Sequence, residues 1–153
     1  MERFVDLQRV LEEYSKIFQT SELYRYEKTP EDLTRELIEE GTMELAYIKG
    51  NEDGEIHAFC FFYQTDIYSY YVEYLGVPDR FQGRGLGKIL LNSVVDEYCF
   101  SDPLIEKVSL LCPDDKVSFY ERNGFEFFNK ELEDGNQWNK MIKLRSTKNR
   151  VQN

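Results

Sequence analysis

The stretch "VPDRFQGRGLGKILLNSVVDEY", residues 77–98, places glycines at 83, 85 and 87 and then runs directly into an apolar-periodic segment. Glycines this dense are conformationally costly unless the backbone takes a positive φ or must come close to another group. A simple turn from strand to helix needs one glycine, not three. The first turn of a helix carries N–H groups without intrahelical acceptors and a partial positive charge, which together attract anions. Arg84 and Lys88 add formal positive charge at the same place. The spacing thus predicts a main-chain seat for phosphate, with a purely structural turn as the alternative. Two phosphate loops are excluded. A P-loop would need glycine where Gln82 stands and Ser or Thr where Ile89 stands. A dinucleotide fingerprint starting at Gly83 and Gly85 would need its third glycine in place of Lys88.

The rest of the composition narrows the setting. A chain of 153 residues, 41% hydrophobic and 15% aromatic, can bury a core and fold as one domain. A net charge of −10 argues against nucleic acid as a partner, which Lys and Arg would have to hold. It permits a cationic partner, although solubility alone accounts for it. No apolar run approaches the ~20 residues needed to cross a bilayer, so no membrane partner is expected. The opening "MERFVDLQRV" is charged from its second residue, so no secretory leader is expected. Cys60, Cys99 and Cys112 are odd in number and lack CxxC spacing, which fits a reducing, cytoplasmic setting. With His57 as the single histidine, a His/Cys metal site is not expected.

Along the chain, Phe4, Leu7, Val10, Leu11, Tyr14 and Phe18 recur at helical spacing, and "SELYRYEK" reads as a connector. A second helix is expected from Thr29, its cap, through Pro30 to Gly41. "MELAYIK", "IHAFCFFYQT" and "IYSYYVEYLGV" read as three antiparallel strands, with a Gly/Asn/Asp turn after the first and a break near Asp66. Leu86, Ile89, Leu90, Val94 and Tyr98 are expected to share the buried face of the helix after the glycines. A strand at 105–112 then makes a right-handed crossover with two parallel strands. A short helix at 115–123, capped by Asp114 or Asp115 and closed at Gly124, leads to two closing strands, "FEFF" and "WNKMIKL". His57 stands near a hairpin turn and reads as a surface residue. Residues 146–153 read as a polar tail.

The run "QGRGLG" resembles the acetyl-CoA pyrophosphate loop of the GNAT superfamily of N-acetyltransferases: Gln or Arg, two residues, Gly, one residue, then Gly or Ala. Gln82, Gly85 and Gly87 fill its defining positions. "YLGVPDRF" looks like the family's fourth strand and the link after it, and "SFYERNGF", residues 118–125, like its later helix with a tyrosine. The match covers roughly residues 43–145, so the resemblance implies a single GNAT-like domain over 1–145, with 1–42 as a helical part on the acceptor side. The implied fold is α/β: a central mixed, mostly antiparallel sheet with a splayed parallel strand pair, flanked by helices. The implied co-substrate is acetyl-CoA, with no metal. Its pantetheine arm would pair with the backbone near Leu75, Gly76 and Val77. Its diphosphate would sit on the amides of Gly83, Arg84, Gly85, Leu86, Gly87 and Lys88, with Gln82 at the head of the loop. Gly76, inside a strand, is independently a bulge signal.

Acetyl transfer to an amine needs a base for the nucleophile and an acid for the departing thiolate. Tyr120 matches the motif tyrosine and is the candidate acid; packing of its helix on the sheet is the alternative. Glu73, a carboxylate in the apolar strand "YYVEYLGV", is the candidate base, with a half-exposed strand residue as the alternative. Tyr63, Tyr68, Tyr70, Tyr71 and Tyr74 read mainly as sheet packing, some of them candidates to line the acceptor site. Glu131, Glu133 and Asp134 are placed in the last strand connection, which in this family borders the acceptor groove. The acceptor is then a small-molecule or peptide amine, cationic in one reading, and homodimerisation stays open. Pro113 replaces an Asn found seven residues before the motif tyrosine in many relatives, and Val108 replaces a glutamate of the subgroup that modifies protein N-termini, so that subgroup is disfavoured. One further reading stays open, a non-catalytic acyl-CoA-binding or regulatory module on the same fold; a third, a partner-binding domain that has lost the cofactor, is disfavoured by the intact "QGRGLGK".

Overall fold

The computed structural model describes residues 2–20, 28–133 and 135–146. Its strands form one six-stranded mixed sheet, flanked by helices, in the order β1-β2-β3-β4-β6-β5. The strands are β1 (Glu44–Lys49), β2 (Ile56–Asp66), β3 (Ser69–Gly76), β4 (Lys107–Cys112), β5 (Glu126–Glu133) and β6 (Asn136–Leu144). A link of only two residues joins β2 to β3, so these neighbours run antiparallel. Asp66 accepts the Tyr68 amide at 2.8 Å and closes that turn. The connector at residues 21–27, Asp134 and the tail from residue 147 lie outside the described residues.

By the density of their own contacts the residues fall into two units. The first comprises Met1–Phe61 and Tyr74–Leu91. Its helix α1 (Glu2–Thr20) buries Val10 and Tyr14, as the periodicity predicts. Tyr14 packs edge-on against Phe59, Phe61 and Tyr74 with ring centroids 5.1–6.4 Å apart, a geometry that aromatic quadrupoles favour. The same helix also buries two carboxylates, Asp6 and Glu13, which its periodicity does not announce. Helix α2 (Pro30–Thr34) begins with a complete capping box: the Asp32 amide donates to Thr29 Oγ1 at 3.1 Å, and the Thr29 amide to Asp32 Oδ2 at 3.2 Å. It continues in wider turns over Arg35–Glu40 and stops at Gly41, whose φ is 65°.

The second unit comprises Phe62–Glu73 and Asn92–Asn153. Here β3 and β4 are parallel, in register from Ser69 with Lys107 to Val72 with Leu110, while β3 continues to Gly76 and β4 to Cys112. β4 and β5 both pair antiparallel with β6, and the β5–β6 register slips between Phe127 and Asn129. One face of these strands is packed: Tyr70, Val72, Val108, Leu110, Cys112 and Met141 are buried. That face carries the helical segment, since the ring of Tyr70 meets Tyr98 and Lys143 pairs with Asp96 at 3.1 Å. The opposite face bears Tyr71, Ser109, Lys140 and Glu131, half-buried.

Two expectations about helices are corrected. In α3 (Leu86–Asn92) and its continuation in wider turns over Ser93–Tyr98, the buried residues are Leu90, Leu91, Val94 and Val95. Ile89 and Tyr98 are half exposed instead, because the buried stripe is turned by one residue and the wider turns after Asn92 advance the phase differently from 3.6 residues per turn. At α4 (Val117–Arg122), neither Asp114 nor Asp115 caps the helix by its side chain. The Asp114 carboxylate is taken by Asn139 Nδ2 and Lys130 Nζ, both at 2.8 Å. Gly124 does close α4, at φ 90°. All three cysteines are buried, and burial, reinforced by Asp115 and Asp114, pushes the Cys112 thiol up to about 11.

Candidate active site

The first unit holds the glycine loop. Pro78, Asp79, Arg80 and Phe81 make a tight turn after β3, with the Phe81 amide donating to Pro78 O at 2.8 Å and the Gln82 amide to Asp79 O at 3.2 Å. Gln82 Nε2 folds back to Val77 O at 2.9 Å and Asp79 Oδ1 at 3.3 Å. Gly83 and Gly85 then take φ 82° and 75°, the left-handed region that side-chain-bearing residues avoid. The first helical bond runs from the Ile89 amide to Gly85 O at 3.1 Å. Gly85 is therefore the residue at the helix start, and it offers no side-chain oxygen. Among the described residues the amides of Leu86, Gly87 and Lys88 find no acceptor. Among the described residues a Cβ built on Gly83 or Gly85 meets no atom within 4 Å. The protein itself thus leaves three donors and an open space at one helix start, beside the exposed side chains of Arg84 and Lys88.

At the end of β3, Leu75 and Val77 are half-buried and Gly76 is buried. A Cβ on Gly76 would lie 2.6 Å from Phe59 and 2.8 Å from Tyr74. Packing of two aromatic rings accounts for this glycine, so the bulge that its place in a strand suggested is not its reason.

His57 is corrected. It is not a free surface residue: its ring stacks on Phe81 with centroids 3.9 Å apart, and Asp53 Oδ2 lies 3.0 Å from its Nε2.

In the second unit, Tyr120 sits on α4, half-buried, with its ring edge-on to Phe119 and Phe125 at 5.1 and 5.7 Å. Its carbonyl accepts the amides of Asn123 and Phe125, each at 3.0 Å, which fixes the end of its helix. Glu73 is half-buried on β3, on the same face as Tyr71. Burial pushes the Tyr71 phenol far above its ordinary range, and the charges of Glu73, Glu133 and Glu131, together with Tyr63, push in the same direction. The rings of Tyr63 and Tyr71 are 5.5 Å apart. Tyr63 and Glu73 share the surroundings of Tyr71, the charges of Glu131 and Glu133 on β5 act on the same phenol, and Lys140 pairs with Glu131 at 3.4 Å. The structure places Glu131 and Glu133 on β5 itself, not in the connection after it. Sequence periodicity did not single out Tyr71 among the five tyrosines; the cross-strand pairing does. Among the described residues no group of His, Cys, Asp and Glu is placed to hold a metal ion, and no helix is long and apolar enough to cross a membrane.

Comparison with known proteins follows this geometry. The sequence profile described as "Acetyltransferase (GNAT) family" matches residues 7–125. No curated protein matches. Among solved structures, Arabidopsis thaliana NAA60 in complex with acetyl-CoA is similar at TM-score 0.63 and 19% identity, over 86% of this chain and 90% of that one. A GNAT family acetyltransferase from Elizabethkingia anophelis with acetyl-CoA bound gives 0.58 and 19%, over 74% and 85%. A variant of the spermidine N-acetyltransferase SpeG from Vibrio cholerae gives 0.61 and 16%, over 75% and 71%. At these identities the likeness is one of fold.

Proposed function

The chain belongs to the acetyltransferase (GNAT) family, and on that premise we propose that residues 1–145 act as one acetyl-CoA-dependent N-acetyltransferase domain, with transfer to a primary amine in a ternary complex. One observation carries the reading: three unpaired amides and an uncluttered glycine crest at the start of α3, where added side chains would take a ligand's place rather than a neighbour's. The residues fit a diphosphate, and the similar structures include two with acetyl-CoA bound. In this reading the amides from Gly83 to Lys88 hold the diphosphate, Arg84 and Lys88 add charge, Gln82 braces the loop through Val77 O, and the backbone of Leu75, Gly76 and Val77 borders the pantetheine arm. Acetyl-CoA supplies an acetyl group activated as a thioester.

The chain's own residues supply the rest. Glu73 accepts the proton that the attacking amine must lose, directly or through water. Tyr120 donates its phenolic proton to the departing thiolate, a transfer of modest cost given ordinary values of about 10 for a phenol and about 8.5 for a thiol. Tyr71, held protonated by its surroundings, stays a neutral hydroxyl beside Glu73. The carboxylates of Glu73, Glu131 and Glu133 with the rings of Tyr63 and Tyr71 favour a cationic acceptor, since charge and ring faces both attract ammonium groups. Three buried cysteines, odd in number and without CxxC spacing, suit a reducing compartment such as the cytoplasm. The test is release of free coenzyme A from acetyl-CoA across a panel of polyamines, amino sugars, aminoglycosides and lysine peptides. Turnover with at least one amine is expected. Tight binding without turnover on the whole panel would replace the enzyme by a non-catalytic acyl-CoA-binding module.

A further inference from the structure

We infer that Arg80 is a positioning residue for the glycine loop: it fastens the strap Pro78–Gln82 to helix α1 and so fixes where the amides of Leu86, Gly87 and Lys88 present themselves. The inference rests on the reading of that loop as the seat of the coenzyme A diphosphate. Bonding along this stretch changes abruptly. Up to Gln82 the strap is tied by the backbone and side-chain bonds described above. From Gly83 on, a Cβ added at Gly83 or Gly85 would meet nothing within 4 Å among the described residues, and the first three helical amides have no acceptor there. A loop without internal ties takes its position from its base.

Arg80 is the side chain that ties this base to helix α1, while Phe81 ties it to His57. Its Nη2 donates to Glu13 Oε1 at 2.8 Å and its Nη1 to Oε2 at 3.5 Å, a forked contact that a lysine cannot copy. Nη2 also reaches Glu55 Oε1 at 3.3 Å. The guanidinium lies 4.7 Å over the ring of Phe81, which is itself buried and stacked on His57. The same ring lies 5.6 Å from the Arg84 guanidinium, inside the loop. At the other end the anchor is firm. Glu13 is only 9% exposed, and its neighbour Tyr14 is locked into the aromatic cluster with Phe59, Phe61 and Tyr74. Burial raises the Glu13 carboxyl, but the Arg80 hydrogen bonds and charge, with Lys16, outweigh it and hold the group below its ordinary range. A carboxylate this buried loses its main counter-charge when Arg80 is removed, so α1 and the strap move as one piece only while the fork is intact.

The experiment uses the full chain with coenzyme A as the probe, read by calorimetry and by amide hydrogen exchange of the loop without ligand. Arg80→Met and Glu13→Gln are each expected to weaken binding about tenfold, equal to ~1.4 kcal/mol, and to speed exchange at residues 83–88. Arg80→Lys should fall between. The swapped pair Glu13→Arg with Arg80→Glu should regain affinity to within about threefold, a rescue that a merely structural loss would not show. With an amine that turns over, KM for acetyl-CoA should rise while kcat and the amine KM stay. If Arg80→Met does not fold, Arg80→Lys and Glu13→Gln carry the test. Wild-type affinity in the folded single variants, or a loss that the swap leaves unrepaired, overturns the inference. Gly85→Val separates the two levels. If it binds coenzyme A as the wild type does, the loop reading falls and this inference with it. If it abolishes binding while the Arg80 and Glu13 variants bind normally, the loop reading stands and Arg80 has no such role.

Discussion

The glycine loop and the patch around Tyr71 are made of opposite materials. From Gly83 to Lys88 the chemistry is chiefly main-chain: amides set by two left-handed glycines, with the Arg84 and Lys88 side chains adding charge beside them. Around Tyr71 it is all side-chain: two tyrosine rings in contact on β2 and β3, and three carboxylates whose charges act on the Tyr71 phenol. The difference teaches where each can fail. A main-chain site tolerates changes of charge but not of bulk. A side-chain site tolerates modest changes of bulk but not of charge.

The sharpest way to break that contrast is Gly85→Val. The left-handed backbone costs a valine roughly 2 kcal/mol, so Tm should fall by roughly 4–8 °C. Affinity for coenzyme A should fall at least about a hundredfold, since two charge-assisted hydrogen bonds at ~1.5–3 kcal/mol each are displaced. Calorimetry and a thermal melt on the same sample decide it, and equal affinities would show that the open space is not a ligand's.

On the side-chain side, Glu73→Gln keeps the shape and removes the proposed base. It should lower kcat about a hundredfold with little change in KM for acetyl-CoA, the lower end of what general bases contribute. Tyr120→Phe should cost less, roughly tenfold, because water can also protonate a thiolate. Steady-state rates with one accepted amine test both, and unchanged kcat in both variants would remove these two roles while leaving the loop untouched.

The smallest effect is acid-dependent. Glu13 has its carboxyl lowered in the folded chain, so its pair with Arg80 contributes fully above the ordinary value of 4.5 and is lost as pH falls through the lower folded value. Urea melts should show a stability gap between wild type and Glu13→Gln that is flat near neutrality and narrows on acidification below about 4.5. A gap that widened instead would contradict the depressed carboxyl.

What could be read from the sequence follows the same division. The loop was legible because glycine spacing and helix-start chemistry are local, and so were the Thr29 cap and the Gly41 and Gly124 stops. The sheet was legible from strand composition and the crossover. Features set by distant residues were not. Glu13 and Arg80 are 67 residues apart, and nothing in either neighbourhood forecasts their fork. His57 looked like a turn residue because its stacking partner, Phe81, lies across the chain. The buried stripe of α3 was misplaced by one residue because wider turns change a phase that periodicity assumes constant. Gly76 was noticed for the wrong reason, since only the tertiary position of Phe59 reveals what it avoids.

That last glycine has a counterpart. At Gly76 any side chain collides with the aromatic rings of the core, whereas at Gly83 and Gly85 it would project into space that no residue occupies. Drift at Gly76 is therefore policed by collision in the core, and drift at the other two by the cost of a left-handed φ together with use. A descendant that abandoned its reaction would shed Gly83 and Gly85 early and keep Gly76, so those three positions together would tell a retired copy from a working one.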